Sequence, residues 1–275
     1  MKRSFSLFLL SICALLISCE PKNEGPNSNS FQRVSETKVL RVGYIVFPPT
    51  VTKDSQTNKL GGHFVATIEE IARQAGWTVT YTEFDFNTFS AGLSTGRVDV
   101  SIAPTFVTVP RALNVSFTRP LFYAGNSAIV KKGDSRFTTI DSIDRPEVTV
   151  AVTEGEAGHE YAKANFKKAK IVTHAGSDQM LTFQDVITGR ADIALGDAFV
   201  TSEFAKRHPD EVRDLFASNP YNLTPVAWAV RRGDNDMLMF INASLDALDA
   251  QGKLLEFETA AGAHWLHYKR DWETR

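Results

Sequence analysis

Cysteine is almost missing from this sequence: there are two in 275 residues, Cys13 and Cys19, both close to the N-terminus. The rest of the chain has no thiol for a disulfide, a zinc site or a nucleophile, so its stability must come from its core alone. Basic excess is missing too. Lys and Arg total 30 against 32 Asp and Glu, a formal net charge of −2, and there is no long basic stretch. That balance argues against nucleic acid as a partner. After Ile17 no apolar run is long enough to span a bilayer. No Gly-x-x-x-x-Gly-Lys phosphate loop, zinc-type His-Glu-x-x-His pattern or nucleophile elbow occurs, so no cofactor, metal or hydrolytic chemistry is expected. His264 and His267 stand at helical spacing without a clear third ligand.

What is present suits a folded globular protein of one large domain or two moderate ones: 43% hydrophobic residues, with charges of both signs interspersed. The N-terminus stands apart. Lys2 and Arg3 precede an apolar run, residues 5–17, broken mainly by serines, which reads as a signal peptide over residues 1–18. The run ends in Leu16-Ile17-Ser18-Cys19, which resembles the lipobox of bacterial lipoproteins. That resemblance implies a lipidated Cys19 and a protein on the periplasmic side of a bacterial envelope, anchored in the inner or the outer membrane. Residues 20–37 are rich in Asn, Ser, Pro, Gly and charge, with Phe31 and Val34 the only large apolar side chains. A lipidated flexible tether is therefore expected over residues 19–37.

From Lys38 onward, strand-like and helix-like patterns alternate. Residues 39–46 read as a strand, and Val65, Ile68, Ile71, Ala72 and Ala75 recur at helical spacing up to Gly76. Strands follow at 79–84 and 98–103 with a short helix at 88–93 between them. The order then repeats, with strands at 148–153, 171–174 and 193–196 and helices at 158–166 and 178–187; residues 236–261 read as helical. One internal repeat supports two similar lobes. Gly96-Arg97-Val98-Asp99 matches Gly189-Arg190-Ala191-Asp192, in each case between a helix and an apolar strand. Ligands of open α/β sheets sit beyond the carboxyl ends of the strands. Both copies therefore aim their following residues at a site.

Over residues 40–261 the chain is similar to the periplasmic amino-acid-binding proteins of ABC transporters, the extracellular solute-binding family 3 with the type 2 periplasmic-binding fold. The resemblance rests on Leu40-Arg41-Val42-Gly43 followed by Phe47-Pro48-Pro49, on the two Gly-Arg-x-Asp segments, and on Arg111 followed by Val115-Ser116-Phe117-Thr118-Arg119-Pro120-Leu121. It implies an α/β protein of two similar lobes joined by two hinge strands, with a ligand cleft between them. Lobe one would be residues 38–121 plus 226–275, with Trp265, Tyr268 and Trp272 as cover. Lobe two would be 126–220, and the hinges 122–125 and 221–225. The implied partners are a small amino-acid-like ligand, an ABC permease and the membrane through its lipid, with the protein itself a monomer.

The same resemblance implies the site. Arg111 would grip a ligand carboxylate, although an arginine near a helix start is also an ordinary surface feature. Asp197 matches the acid that meets the ligand ammonium, and before Ala198-Phe199-Val200 it also reads as an N-cap. Phe47 and Phe86 would wall the ligand's carbon skeleton, or else sit in the core. Tyr44 stands where relatives often place a polar side-chain reader. The stretch leading to Arg111 departs from the family: Pro104 and Phe106 replace a Gly and a Thr, and leave Thr105 or Thr108 to supply the hydroxyl. In lobe two, Glu156, next to Ala157, replaces a Ser or Thr. Either Glu156 points to solvent, or the ligand carries extra positive charge or a donor at that end. Lobe two also resembles cyclohexadienyl dehydratases, exported enzymes on this fold, but His159 beside Glu160 stands where their acidic glutamate is expected. Binding is therefore the expected role, with a dehydratase or a ligand sensor as the alternatives.

Overall fold

The computed structural model describes residues 29–263. The signal-peptide segment, Cys19, the start of the expected tether and the aromatic and histidine residues from His264 onward lie outside the described residues.

The apolar strands assemble into one ten-stranded sheet. At one end Thr78–Glu83, Val39–Tyr44 and Val100–Phe106 run parallel, and at the other Lys170–His174, Thr149–Thr153 and Ile193–Asp197 do the same. Between the two sets lie two long antiparallel strands that pair with each other; Tyr221–Arg231 pairs with Val100–Phe106 on one side, and Phe122–Lys131 with Ile193–Asp197 on the other. Each parallel set is laid out as second, first, third strand in chain order. This is the duplication that the two Gly-Arg-x-Asp segments announced.

The repeat acts through its aspartates. Asp99 accepts the backbone N–H of Arg41 at 2.8 Å and returns its own N–H to the Arg41 carbonyl at 2.8 Å. Asp192 does the same with Thr149, at 2.9 Å in both directions. Each aspartate so fixes the third strand of its lobe against the first, and each also holds an arginine, Arg41 at 2.7 Å and Arg136 at 2.7 Å. The preceding Gly96 and Gly189 have φ of 70° and 77°, in the left-handed region where a side chain is strained.

Helices cover both faces. His63–Ala75 buries Phe64, Val65, Ile68, Ile71 and Ala72 against lobe one and ends at Gly76, with φ 70°. The C-terminal helical region is two helices, Asn235–Ala250 and Lys253–Ala260, parted at Gly252 with φ 72°. At the crossing, Gly125 lies so close to the partner strand's lead-in that a Cβ there would stand 2.7 Å from the Pro220 Cβ. The crossing strand has register irregularities between Tyr221 and Thr224 and between Ala227 and Ala229.

The tether expectation is corrected over its second half. Ser30–Thr37 is a helix capped by Asn29, whose side chain accepts the Gln32 N–H, and it closes on Lys38 with φ 59°. Its two large apolar residues are the reason. Val34 is fully buried in the lobe-one core, and the Phe31 ring packs against Phe240 at 5.4 Å and Trp77 at 6.1 Å. Arg33 adds an ion pair to Asp99, and the Ser30 hydroxyl donates to Asp234. Two well-placed apolar side chains outweigh a polar composition. Val34→Ala should lower the stability of the folded body by about 1–3 kcal/mol. The check is a chemical-denaturation curve, which should show an earlier midpoint and an unchanged slope.

Candidate functional site

The cavity lies where the two parallel strand sets face each other across the crossing strands. Lobe one supplies it from strand ends. Phe47 follows Val39–Tyr44, and its N–H donates to the Val51 carbonyl at 2.9 Å. Phe86 follows Thr78–Glu83 and meets Phe47 edge-on, with ring centroids 6.3 Å apart at 89°. Pro104 and Phe106 come from Val100–Phe106, and Arg111 from the short helix Val109–Ala112. Thr108 caps that helix, its hydroxyl accepting the Arg111 N–H at 3.4 Å.

Lobe two supplies three helix starts. Glu156 precedes Ala157–Asn165, Gln179 precedes Met180–Thr188 and Asp197 precedes Ala198–Arg207, and all three side chains line the cavity together with Ala157. The crossing strands add Phe122, Asn126 and Val226. The enclosed space is small, about 20 Å³, room for about one water molecule.

Arg111 reaches across the cleft. Its side chain is 8% exposed, and Nε donates to Glu160 Oε1 at 3.1 Å, Nη1 to the Phe106 carbonyl at 3.1 Å and Nη2 to the Gly155 carbonyl at 2.6 Å. A guanidinium has five N–H donors, so Nη1 and Nη2 each keep one N–H outside these bonds. Burial lowers its pKa, against the opposing pull of Glu160 and Glu156. Gly155 is a point of close approach between the lobes. With φ 78° it sits so near Asn87 that a Cβ would fall 2.2 Å from the Asn87 Oδ1. The Gly155 N–H donates to His159 Nδ1 at 3.0 Å, which holds that carbonyl in place for Arg111.

The two carboxyls are shifted the opposite way. Burial pushes Asp197 up to about 6, although the N–H groups of Phe199 and Val200 bond to it and partly offset the shift. Burial, followed by the neighbouring Asp197, raises Glu156 well above the usual carboxylate range, against a hydrogen bond from Gln179 and the Arg111 charge. The helix N-termini favour both anions, but desolvation outweighs them.

Of the residues named from sequence, Phe47, Phe86, Pro104, Phe106, Arg111, Glu156, Ala157 and Asp197 meet in this one cavity. Asp197 also caps its helix, so both of its readings hold geometrically. Two others turn away. Tyr44 shares the face of Leu40 and Val42, so strand alternation places it in the lobe-one core, where its hydroxyl donates to Glu83 at 3.0 Å. Thr105 lies between Pro104 and Phe106 on the opposite face of the strand, fully buried, and donates to the Ala103 carbonyl at 3.3 Å. The hydroxyl of Thr108 is used as a cap. Of the dehydratase-related pair, Glu160 meets Arg111 at the cleft's edge and His159 orders Gly155; neither lines the cavity.

Four lining residues were missed. Asn126 had a signal, as a lone amide inside the apolar crossing run; its Nδ2 donates to the Gly196 carbonyl at 3.3 Å and its Oδ1 accepts from Asn222 at 2.8 Å. Gln179 accepts the Asp197 N–H at 3.1 Å and had no signal beyond its place ahead of a helix. Phe122 and Val226 read as ordinary strand residues.

The profile of the bacterial extracellular solute-binding proteins, family 3, matches residues 40–260. The chain is similar to a cyclohexadienyl dehydratase of Pseudomonas aeruginosa, 23% identical over 275 residues, covering 100% of this chain and 98% of that protein. It is also similar to a probable amino-acid ABC transporter-binding protein of Haemophilus influenzae, 27% identical over 242 residues, covering 86% and 88%. Among solved structures, an ancestral amino acid-binding protein, a precursor of cyclohexadienyl dehydratase, superposes with a TM-score of 0.74 at 25% identity, covering 85% of this chain and 99% of that one. The fold is that of the type 2 periplasmic binding proteins.

The buried carboxyl Asp197 gives a pH dependence. Its folded pKa, about 6, lies above the ordinary aspartate value of 3.8, so the folded state holds the proton to higher pH than the unfolded chain. The ligand-free protein should therefore be most stable at low pH with respect to this group, and should lose about 3 kcal/mol as pH rises through that window. Denaturation midpoints across the window should show this fall, and Asp197→Asn should make it smaller, leaving the part that the raised Glu156 contributes.

Proposed function

The chain belongs to the bacterial extracellular solute-binding proteins of family 3, and on that premise we propose that it captures a small amino-acid-like molecule in the cleft between its lobes. One observation carries the reading: a guanidinium from one lobe and a carboxyl from the other, Arg111 and Asp197, share a cavity walled by Phe47, Phe86 and Phe106. The two uncommitted N–H groups on Nη1 and Nη2 suit a carboxylate gripped by two parallel bonds. Asp197 would take the ammonium, and the rings would cover the carbon skeleton. Ligand enters the open form at Arg111, and rotation about the crossing strands brings lobe two onto its other end. Closure is favoured only by contacts that the closed state adds. An ABC permease would receive the ligand, and lipid on Cys19 would hold the protein at the membrane.

A dehydratase is the second reading, favoured by the full-length similarity to such an enzyme and by a buried carboxyl, Glu156, that keeps its proton beyond the usual carboxylate range. Binding is preferred because Asp197 stands in the same cavity and ionises at about 6, which opposes a substrate rich in carboxylates.

Calorimetric titration with amino acids is the test. A binding amino acid should lose about 2–5 kcal/mol of affinity in Arg111→Ala, the range for removing one partner of a buried charge pair. An unchanged affinity removes Arg111 from the site. Formation of aromatic product from prephenate by the purified protein would replace binding with catalysis.

A further inference from the structure

The cavity sets two carboxyls, Glu156 and Asp197, against one guanidinium, Arg111. We infer that the ligand carries a second cationic group beyond its α-ammonium, and that Glu156 receives it; this rests on the reading of the cleft as an amino-acid site.

Glu156 occupies the N-cap of Ala157–Asn165 but makes no side-chain cap hydrogen bond there. A carboxylate at that position ordinarily turns back to its own helix's N–H groups. Here it faces the cavity instead, 6% exposed, and its Oε1 has no hydrogen-bond donor. A buried carboxyl oxygen left unpaired costs free energy that a bound partner would recover.

The neighbours do not supply that partner. Gln179 hydrogen-bonds Glu156, Asp197 repels its charge, and Asp178 adds to the repulsion. Among the described residues Arg111 is the one cation lining the cavity; its charge attracts Glu156, but its committed bonds go to Glu160, Gly155 and Phe106. Once a ligand carboxylate takes the remaining Arg111 N–H groups and Asp197 takes an α-ammonium, Glu156 still lacks a counter-charge.

The helix starts lead to the same conclusion. A helix N-terminus attracts anions. Two of the three that open onto this cavity already face carboxyls of the chain itself, Glu156 and Asp197. Phe47 and Phe86 add aromatic wall, which suits an ammonium or guanidinium. A ligand with a neutral side chain could at most donate a hydrogen bond to Glu156 and would leave its charge uncompensated. An ammonium or guanidinium would pair it.

The experiment compares ligands of one shape and two charges. Arginine and citrulline, with lysine and glutamine as a second pair, are titrated into the full chain and into Glu156→Gln. The wild-type protein should bind arginine about tenfold or more tightly than citrulline. In Glu156→Gln that ratio should fall towards one through loss of arginine affinity. Equal wild-type affinity for arginine and citrulline, or a ratio that survives in Glu156→Gln, overturns the inference and leaves the amino-acid reading standing. Binding of none of the four overturns both. The wild-type ratio needs no variant, so poor folding of Glu156→Gln would not spare the inference.

Discussion

The guanidinium of Arg111 has to be satisfied inside the cleft, and the rest of the site is arranged around that constraint. It is buried, so leaving its donors unmade would cost several kcal/mol. Lobe two meets part of the demand through the Gly155 carbonyl and Glu160, whose side chain is 38% exposed. Those bonds are made within the protein itself, so in the proposed hinged closure they would favour the closed form whatever the ligand. A ligand cannot draw its selectivity for the closed form from them. It would draw on what the protein's own bonds leave unpaired: the spare N–H groups on Nη1 and Nη2, and Oε1 of Glu156.

That arrangement depends on the duplicated sheet. Each lobe ends its third strand at the cleft because Asp99 or Asp192 locks that strand beside the first. Lobe one then continues from Phe106 to the short helix carrying Arg111, while lobe two turns from Asp197 straight into a helix. One design therefore presents a cation on one side and a helix-capping acid on the other. The crossing strands keep the two faces in register, and Gly125 permits the close passage that this needs.

How much of this could be read in the sequence follows from which physical signals are local. The paired Gly-Arg-x-Asp segments state their geometry in a few residues, so the two lobes and the ends of their third strands were legible. Facing direction was not. Pro104, Thr105 and Phe106 are consecutive, and only the pleat shows that the first and third face the cleft while the second is buried behind it. Tyr44 failed for the same reason. Composition misled at Ser30–Thr37, where Phe31 finds partners more than forty residues away and Val34 joins the same core, which no window of the sequence displays. Gln179 was invisible because its role is relational: it bonds to Glu156 and Asp197, and neither contact leaves a mark in its own neighbourhood.

The similarity to a dehydratase over the whole chain is compatible with a binding role, because the fold fixes where strand ends and helix starts converge and leaves the chemistry to the few side chains placed there. A general acid must hold a proton beside a leaving group, whereas a counter-ion must give its proton up to meet a cation. Glu156 can do either, since burial raises its pKa and an incoming cation would lower it again. Its surroundings decide between the two roles. Asp197 stands in the same cavity and the nearby guanidinium is largely engaged, so an incoming positive charge relieves repulsion while an incoming carboxylate adds to it. On the proposed reading, the cleft therefore suits a ligand that brings more positive charge than negative.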